Sequence, residues 1–260
     1  MASPTGKRVI PSDGPLDAEI VVVAESPAEE ELKQGRPLVG RSGKLLNTVL
    51  RQVGLSIEQV YCMNCVPVRA PADKFARHSP DDVAFGRHAF QQELLQLTKA
   101  KVFVALGANP TEWLLGFKPP VVQRGEGKGR EGFISEWRGS VIPVRDMDGI
   151  PDRPEDYLQR LPTGEPPTFG SPNAVIIPTY HPAAILRQFT WHPWFLLDWQ
   201  KAVKVAKDGV PLTKYRQWYF QDLEALRRLA ESDVDLIAVD TELEPAIVSI
   251  TTEEEVHVFE

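Results

Sequence analysis

EIVVVAE, residues 19–25, is a short, unbroken apolar run rich in valine that ends on a carboxylate. A strand with one wet face alternates apolar and polar residues, whereas an unbroken run of this length belongs to a strand buried on both faces, as in a parallel sheet covered by helices. The downstream sequence keeps that rhythm. In GRPLVGRSGKLLNTVLRQVGL, 35–55, Leu45, Leu46, Val49, Leu50 and Val53 recur at helical spacing, and Gly54 is the stop. VYCMNCVPV, 60–68, predicts a second strand, and Ser79-Pro80-Asp81-Asp82 starts a helix running to about 97. KVFVALG, 101–107, predicts a third strand, after which Asn109-Pro110 opens a helix through TEWLLG. NAVIIPTY, 173–180, predicts a fourth, and FLLDWQKAVKVAKDGV, 195–210, closes the unit as an amphipathic helix. This βαβα alternation predicts an α/β fold with three αβα layers and a central four-stranded parallel sheet.

Two regions break the rhythm. Residues 119–172 are rich in glycine, charge and proline and predict an ordered surface insertion, with VIPV at 141–144 as its strand. After residue 208 the pattern starts again: residues 209–260 predict a helix, a strand and a further strand near Glu260, a partial C-terminal α/β segment too small for a core of its own. The expected domain is therefore 1–208, with 209–260 as a linker and an incomplete second unit.

The formal charge of −7 argues at first against a polyanionic partner, yet residues 209–260 carry 12 acidic and 4 basic side chains, leaving 24 acidic and 25 basic for residues 1–208. No run of about 18 to 20 apolar residues occurs and MASPTGKRVI lacks a secretory core, so no membrane partner and a cytoplasmic location are expected. Two cysteines, Cys62 and Cys65, make neither a disulfide framework nor a four-ligand metal site by themselves.

Glu25 stands where the first strand opens into a loop with Glu29, Glu30 and Glu31, and His181 emerges from the end of the fourth strand, held by Pro182. Both fall at the C-terminal edge of the expected sheet, where open α/β sheets bind ligands. GRPLVGRS lacks the lysine of a phosphate loop, GKGREG lacks a strand before it and a helix after it, and WHPWFLLDW, 191–199, reads as packing of the last helix.

Four segments in one order carry a specific resemblance: AESPAEEELKQGRPLVGRSGKLL, VYCMNCVPVRAP, VALGANPTEWLLG and PTYHPAAILR are similar to the motifs of family 4 in the uracil-DNA glycosylase superfamily. The resemblance implies base flipping and hydrolysis of the N-glycosidic bond of uracil in DNA, single-stranded or uracil-containing. It implies that Asn64 reads the uracil edge beside Ser26, Pro27 and Leu38, and that His181 stabilises the leaving base. Glu25 or Glu31 would orient water and favour the cationic sugar, and Arg36, Arg41, Lys44 and Arg187 would contact phosphates.

The sequence departs from that family at several places. Ala24 and Ala28 replace glycines, Leu38 replaces a phenylalanine that stacks on uracil, and the four cysteine ligands of an iron-sulfur cluster are missing, with Val68 at one of their positions. No cofactor is expected. Another branch of the superfamily bonds a histidine in a basic loop to the abasic sugar; KFARHSP, 74–80, places His78 nearby, with a different spacing to Pro80.

LIAVDTELE, 236–244, resembles the first motif of the 3'-5' exonuclease domain of family A DNA polymerases, with Asp240 and Glu242 at i and i+2 as a possible Mg²⁺ pair in a complete domain. Together with the main resemblance it points to phage polymerases, with polymerase domains of a longer chain as partners and the tail inactive on its own. The alternative is a non-catalytic DNA-binding or uracil-sensing module of such a polymerase.

Overall fold

The computed structural model describes residues 2–118, 134–144, 159–160, 167–209, 217–220, 238–243, 246–251 and 256–259. The chain divides into two compact units, Met1–Gly209 and Val210–Glu260.

In the first unit the four expected strands are β1 (Ile20–Ala24), β2 (Tyr61–Asn64), β3 (Val102–Leu106) and β7 (Val175–Thr179). They run parallel in the order β2-β1-β3-β7, and every residue of each is buried. This is the double burial that the valine run requires. Alternate side chains serve opposite layers. Val21, Val23, Met63, Phe103, Ala105 and Ile176 share one cluster with residues of α3 (Pro80–Gln96) and α4 (Ala108–Leu115). The other face meets α7 (His192–Asp208), which packs with α2 (Arg41–Gln52), itself packed on α6 (Pro182–Arg187); their buried residues include Leu46, Val49, Leu50, Ile185, Phe195 and Trp199.

The helix starts follow local chemistry. Ser79 caps α3 by accepting from the Asp82 amide at 3.2 Å, with Pro80 in the first turn. The short α1 (Glu29–Gln34) lies between β1 and α2.

The sheet differs from the expected four strands by one addition. Ile142 and Pro143 form β5, which pairs antiparallel with Ile176 and Val175 of β7, so the sheet is mixed and five-stranded. Residues 134–144 are thus not all surface insertion. Trp137, on α5 (Ile134–Trp137), together with Ile142 and Val144, packs on the core cluster and brings the segment back to the sheet. Lys118 and Phe117 of β4 (Phe117–Lys118) pair with Gln159 and Arg160 of β6 (Gln159–Arg160), while the rest of the expected insertion lies outside the described residues.

A buried network ties these pieces together. Asp198 of α7, 2% exposed, accepts from Thr179 Oγ1 at 2.6 Å and from Arg138 at 2.5 and 3.1 Å. Lys201 Nζ donates to the Gly139 carbonyl at 2.6 Å. The end of β7, two residues before His181, is thereby anchored to α7 and to residues 138–139.

In the second unit, β8 (Gln217–Phe220), β11 (Val256–Phe259), β10 (Ala246–Thr251) and β9 (Ala238–Leu243) form a sheet in that order. The strands outnumber the two expected, and the expected helix lies outside the described residues. Asp240 and Glu242 occupy β9 opposite Ser249 and Ile247 of β10.

Candidate active site

β1 and β2 are in register so that Ala24 faces Asn64, and the chain leaves both strands at one end of the sheet. The amides of Cys65 and Val66 donate to the carbonyls of Ala24 at 2.9 Å and Glu25 at 3.1 Å. Glu25 therefore leaves the sheet beside Asn64 along a fixed backbone. β7 ends two residues before His181, and the Gly107 amide at the end of β3 donates to the Thr179 carbonyl at 2.9 Å. Gly107 has φ +96°, and a Cβ there would stand 3.2 Å from His181 Cβ and 3.8 Å from Glu25 Oε1. A side chain would press on the base of His181 and lie against the Glu25 carboxylate, and the turn itself favours glycine.

His181 is the N-cap of α6, and its Nδ1 accepts from the Ala183 amide at 3.1 Å. A nitrogen that accepts carries no proton, so this bond assigns the proton to Nε2. Burial, followed by the charge of Arg187, pushes the imidazole pKa down to about 4. The ring is neutral at pH 7 with Nε2–H as a donor.

Glu25 is half-buried and accepts from Asn109 Nδ2 at 2.9 Å. Burial raises its pKa above the ordinary carboxylate value, partly offset by that hydrogen bond and then by Arg187. Asn64 is 8% exposed, and its carboxamide has no hydrogen-bond partner among the described residues. The amide is not among the fully buried polar groups left without a partner, so it reaches solvent at the end of β2 and is open to a ligand. Ser26 and Pro27 follow Glu25 directly, the proline buried.

Glu31 is placed differently. It is buried, and its carboxylate accepts from the amides of Ala28 at 3.1 Å, Val39 at 3.1 Å and Gly40 at 2.8 Å. Those three bonds turn it into the loop between α1 and α2, so it organises that loop, and the carboxylate beside His181 is Glu25. The same loop places Leu38 at φ +53°, with its carbonyl so close to Gly43 that a Cβ there would lie 1.6 Å from the oxygen. Leu38 borders a cavity of about 230 Å³ with Lys44, Asn47 and Cys62. Cys62 and Asn64 are two apart on β2, so Leu38 lies on the Asn64 side of the sheet.

The four candidate phosphate contacts separate. Arg36 is engaged by the partly exposed Asp13, with both contacts at 2.7 Å, a partner that a phosphate has to displace. Arg41, Lys44 and Arg187 are exposed and form no ion pair among the described residues. His78 has both ring nitrogens buried without a partner, and its ring packs edge-on to Phe75 at 5.3 Å.

A four-thiolate cluster does not fit this chain. It holds two cysteines, both buried, and burial pushes the Cys62 thiol up to about 12 and the Cys65 thiol well above its ordinary value. Val68 is fully buried in the apolar core. Asn109 was not singled out by sequence reading as a site residue; its signal was its place directly after a strand and glycine at the C-terminal edge of the sheet.

Residues 11–204 match the family model described as the uracil DNA glycosylase superfamily. The chain is 31% identical over 180 residues to the Type-4 uracil-DNA glycosylase of Thermotoga maritima, covering 69% of this chain and 72% of that protein. It is 29% identical over 180 residues to the protein of that name from Sulfurisphaera tokodaii, covering 69% and 66%. Against that of Saccharolobus solfataricus it is 26% identical over 208 residues, covering 80% of each. The chain belongs to the uracil-DNA glycosylase superfamily. Among the described residues no helix is long and apolar enough to cross a membrane.

Proposed function

We propose that this chain hydrolyses the N-glycosidic bond of uracil in DNA, acting on a flipped nucleotide without an iron-sulfur cluster. The observation that carries the reading is the meeting at one sheet edge of a neutral His181 with a free Nε2–H and a Glu25 carboxylate.

Cleavage leaves negative charge on uracil and positive charge on the sugar, and a site accelerates it by stabilising both as they develop. His181 Nε2–H donates to uracil O2, where the negative charge grows. Glu25 faces the cationic sugar and orients the water that attacks C1'. Asn64 donates to O4 and accepts from N3–H, a pattern that cytosine reverses. Leu38 supplies apolar contact, and Arg41, Lys44 and Arg187 contact the backbone phosphates.

The finer reading places this domain ahead of polymerase domains in a phage-type family A polymerase, in the cytoplasm of a bacterium or an infected host. It rests on the likeness of LIAVDTELE to an exonuclease motif and on a strand at that position, with Asp240 and Glu242 as a Mg²⁺ pair in a complete domain.

One observation favours a second reading, a binding module that senses uracil without cutting it: Leu38 stands where a stacking ring belongs, and base stacking is worth about 1–3 kcal/mol. Alkali cleavage of a single-stranded oligonucleotide with one deoxyuridine separates the two. Cleavage by the wild type that His181→Ala abolishes supports the enzyme. Binding without cleavage, with cleavage gained in Leu38→Phe, supports the module, and no activity in any form rejects the enzyme.

A further inference from the structure

We infer that Asn109 is a positioning residue for the reaction, holding Glu25 in the orientation and the ionised form that the site requires. The inference rests on the proposed glycosylase reading for its purpose, but the contact can be measured apart from it.

Glu25 sits where a carboxylate is harder to keep charged than in water, since it is half-buried at the end of a buried strand. The titratable or charged groups that face it are Arg187 at the end of α6, His181 at the end of β7 and the Cys65 thiol after β2. His181 is neutral and Cys65 is a buried thiol, so neither contributes positive charge. Arg187 is exposed, and its attraction is weakened by water and salt. Among the described residues, the only side chain that hydrogen-bonds the carboxylate is Asn109, through Nδ2 to Oε1 at 2.9 Å.

The backbone makes this contact dependable. Asn109 is the second residue of α4, which begins directly after Gly107 leaves β3. The positive φ of Gly107 turns the chain, and the Thr179 carbonyl fixes the Gly107 amide. The helix start cannot shift without disturbing the adjoining strand, so the amide has a fixed base. One carboxylate oxygen is thereby engaged and the other is left for water or the sugar. A donor to the charged form favours that form.

The test is ¹³C NMR titration of the Glu25 side-chain carboxyl, assigned with Glu25→Gln, in the wild type and in Asn109→Gln, Asn109→Leu and Asn109→Asp. It is paired with pH profiles of kcat/KM on the deoxyuridine oligonucleotide. The Glu25 midpoint should rise in Asn109→Leu, rise further in Asn109→Asp through like-charge repulsion, and stay near wild type in Asn109→Gln. The acid limb of the profile should move in the same order. An unchanged Glu25 midpoint in a folded Asn109→Leu protein overturns the inference; Asn109→Ala provides the same measurement if the leucine variant does not fold. A wild type that excises no uracil but shows the ordered midpoints supports the contact and rejects the proposed function instead.

Discussion

Glu25 and Glu31 stand six residues apart in one acidic stretch, and what distinguishes them is where their oxygens go. Glu31 spends its oxygens on three backbone amides, whereas Glu25 accepts one side-chain bond and faces His181 across Gly107. Glu25→Gln should therefore lose about 10²–10⁴ in excision rate, the usual scale for a positioned acid-base group. It should also unfold at a higher temperature at pH 7. Burial raises the Glu25 pKa in the folded state, so the stabilising protonated form is complete below the ordinary carboxylate range and is lost as pH rises through the raised value. Calorimetry showing a lower Tm for Glu25→Gln would contradict this. Glu31→Ala should instead lower both Tm and rate, since it strands three amides. His181 has the opposite sign to Glu25. Its pKa falls from 6.5 to about 4 on folding, so the stability it contributes is present above pH 6.5 and is lost as pH falls toward 4. His181→Asn should flatten the fall of the urea midpoint between those pH values, and an equally steep fall would contradict the assignment of a neutral ring.

The elements that sequence made legible are those whose signal is local. The valine run of β1, the Ser79 cap with Pro80, and the Gly54 stop each depend on residues within a turn or two, and each formed where its chemistry indicated. Glu25 and His181 stood out for a related reason, each lying just past the end of a buried strand where strand ends of a parallel sheet converge, whereas Asn64 was named only through the family resemblance. What was not legible depended on distant partners. VIPV was legible as a strand, but not that Ile142 and Pro143 would join the main sheet, which depends on the open edge of β7 beside them. Arg36 looks like a free cation until Asp13, 23 residues away, is placed beside it. Asn109 likewise acquires its role only when Glu25, 84 residues earlier, comes within 2.9 Å. The Asp198 network predicts a cost at this scale. Asp198→Ala leaves Arg138 and Thr179 without their buried partner and should cost about 3–5 kcal/mol in chemical denaturation, the usual penalty for breaking a buried pair. A loss below about 1 kcal/mol, the scale of exposed pairs, would show that the network does not hold β7.

At the scale of the molecule, the proposed function and the balance of charge within residues 1–208 predict DNA binding through a few cations rather than a basic surface. If Arg41, Lys44 and Arg187 are those contacts, the slope of log K against log salt should be about −2 on single strands, at about 0.7 for each phosphate neutralised. Arg41→Ala should reduce the slope by one contact, while Arg36→Ala, whose guanidinium is already paired with Asp13, should leave it unchanged. Fluorescence anisotropy across a salt series checks both, and a steeper wild-type slope would mean that further cations meet the strand. The central claim is that one site at the edge of the sheet reads uracil with Asn64 and releases it with His181. Free uracil liberated from a deoxyuridine oligonucleotide in a single turnover tests it most directly, with the wild type compared against Asn64→Ala and His181→Ala. Release by the wild type, with each variant slowed by at least the factor of about 10² expected for losing one aimed donor, is the predicted result; no release by the wild type, or equal rates in all three, would contradict it.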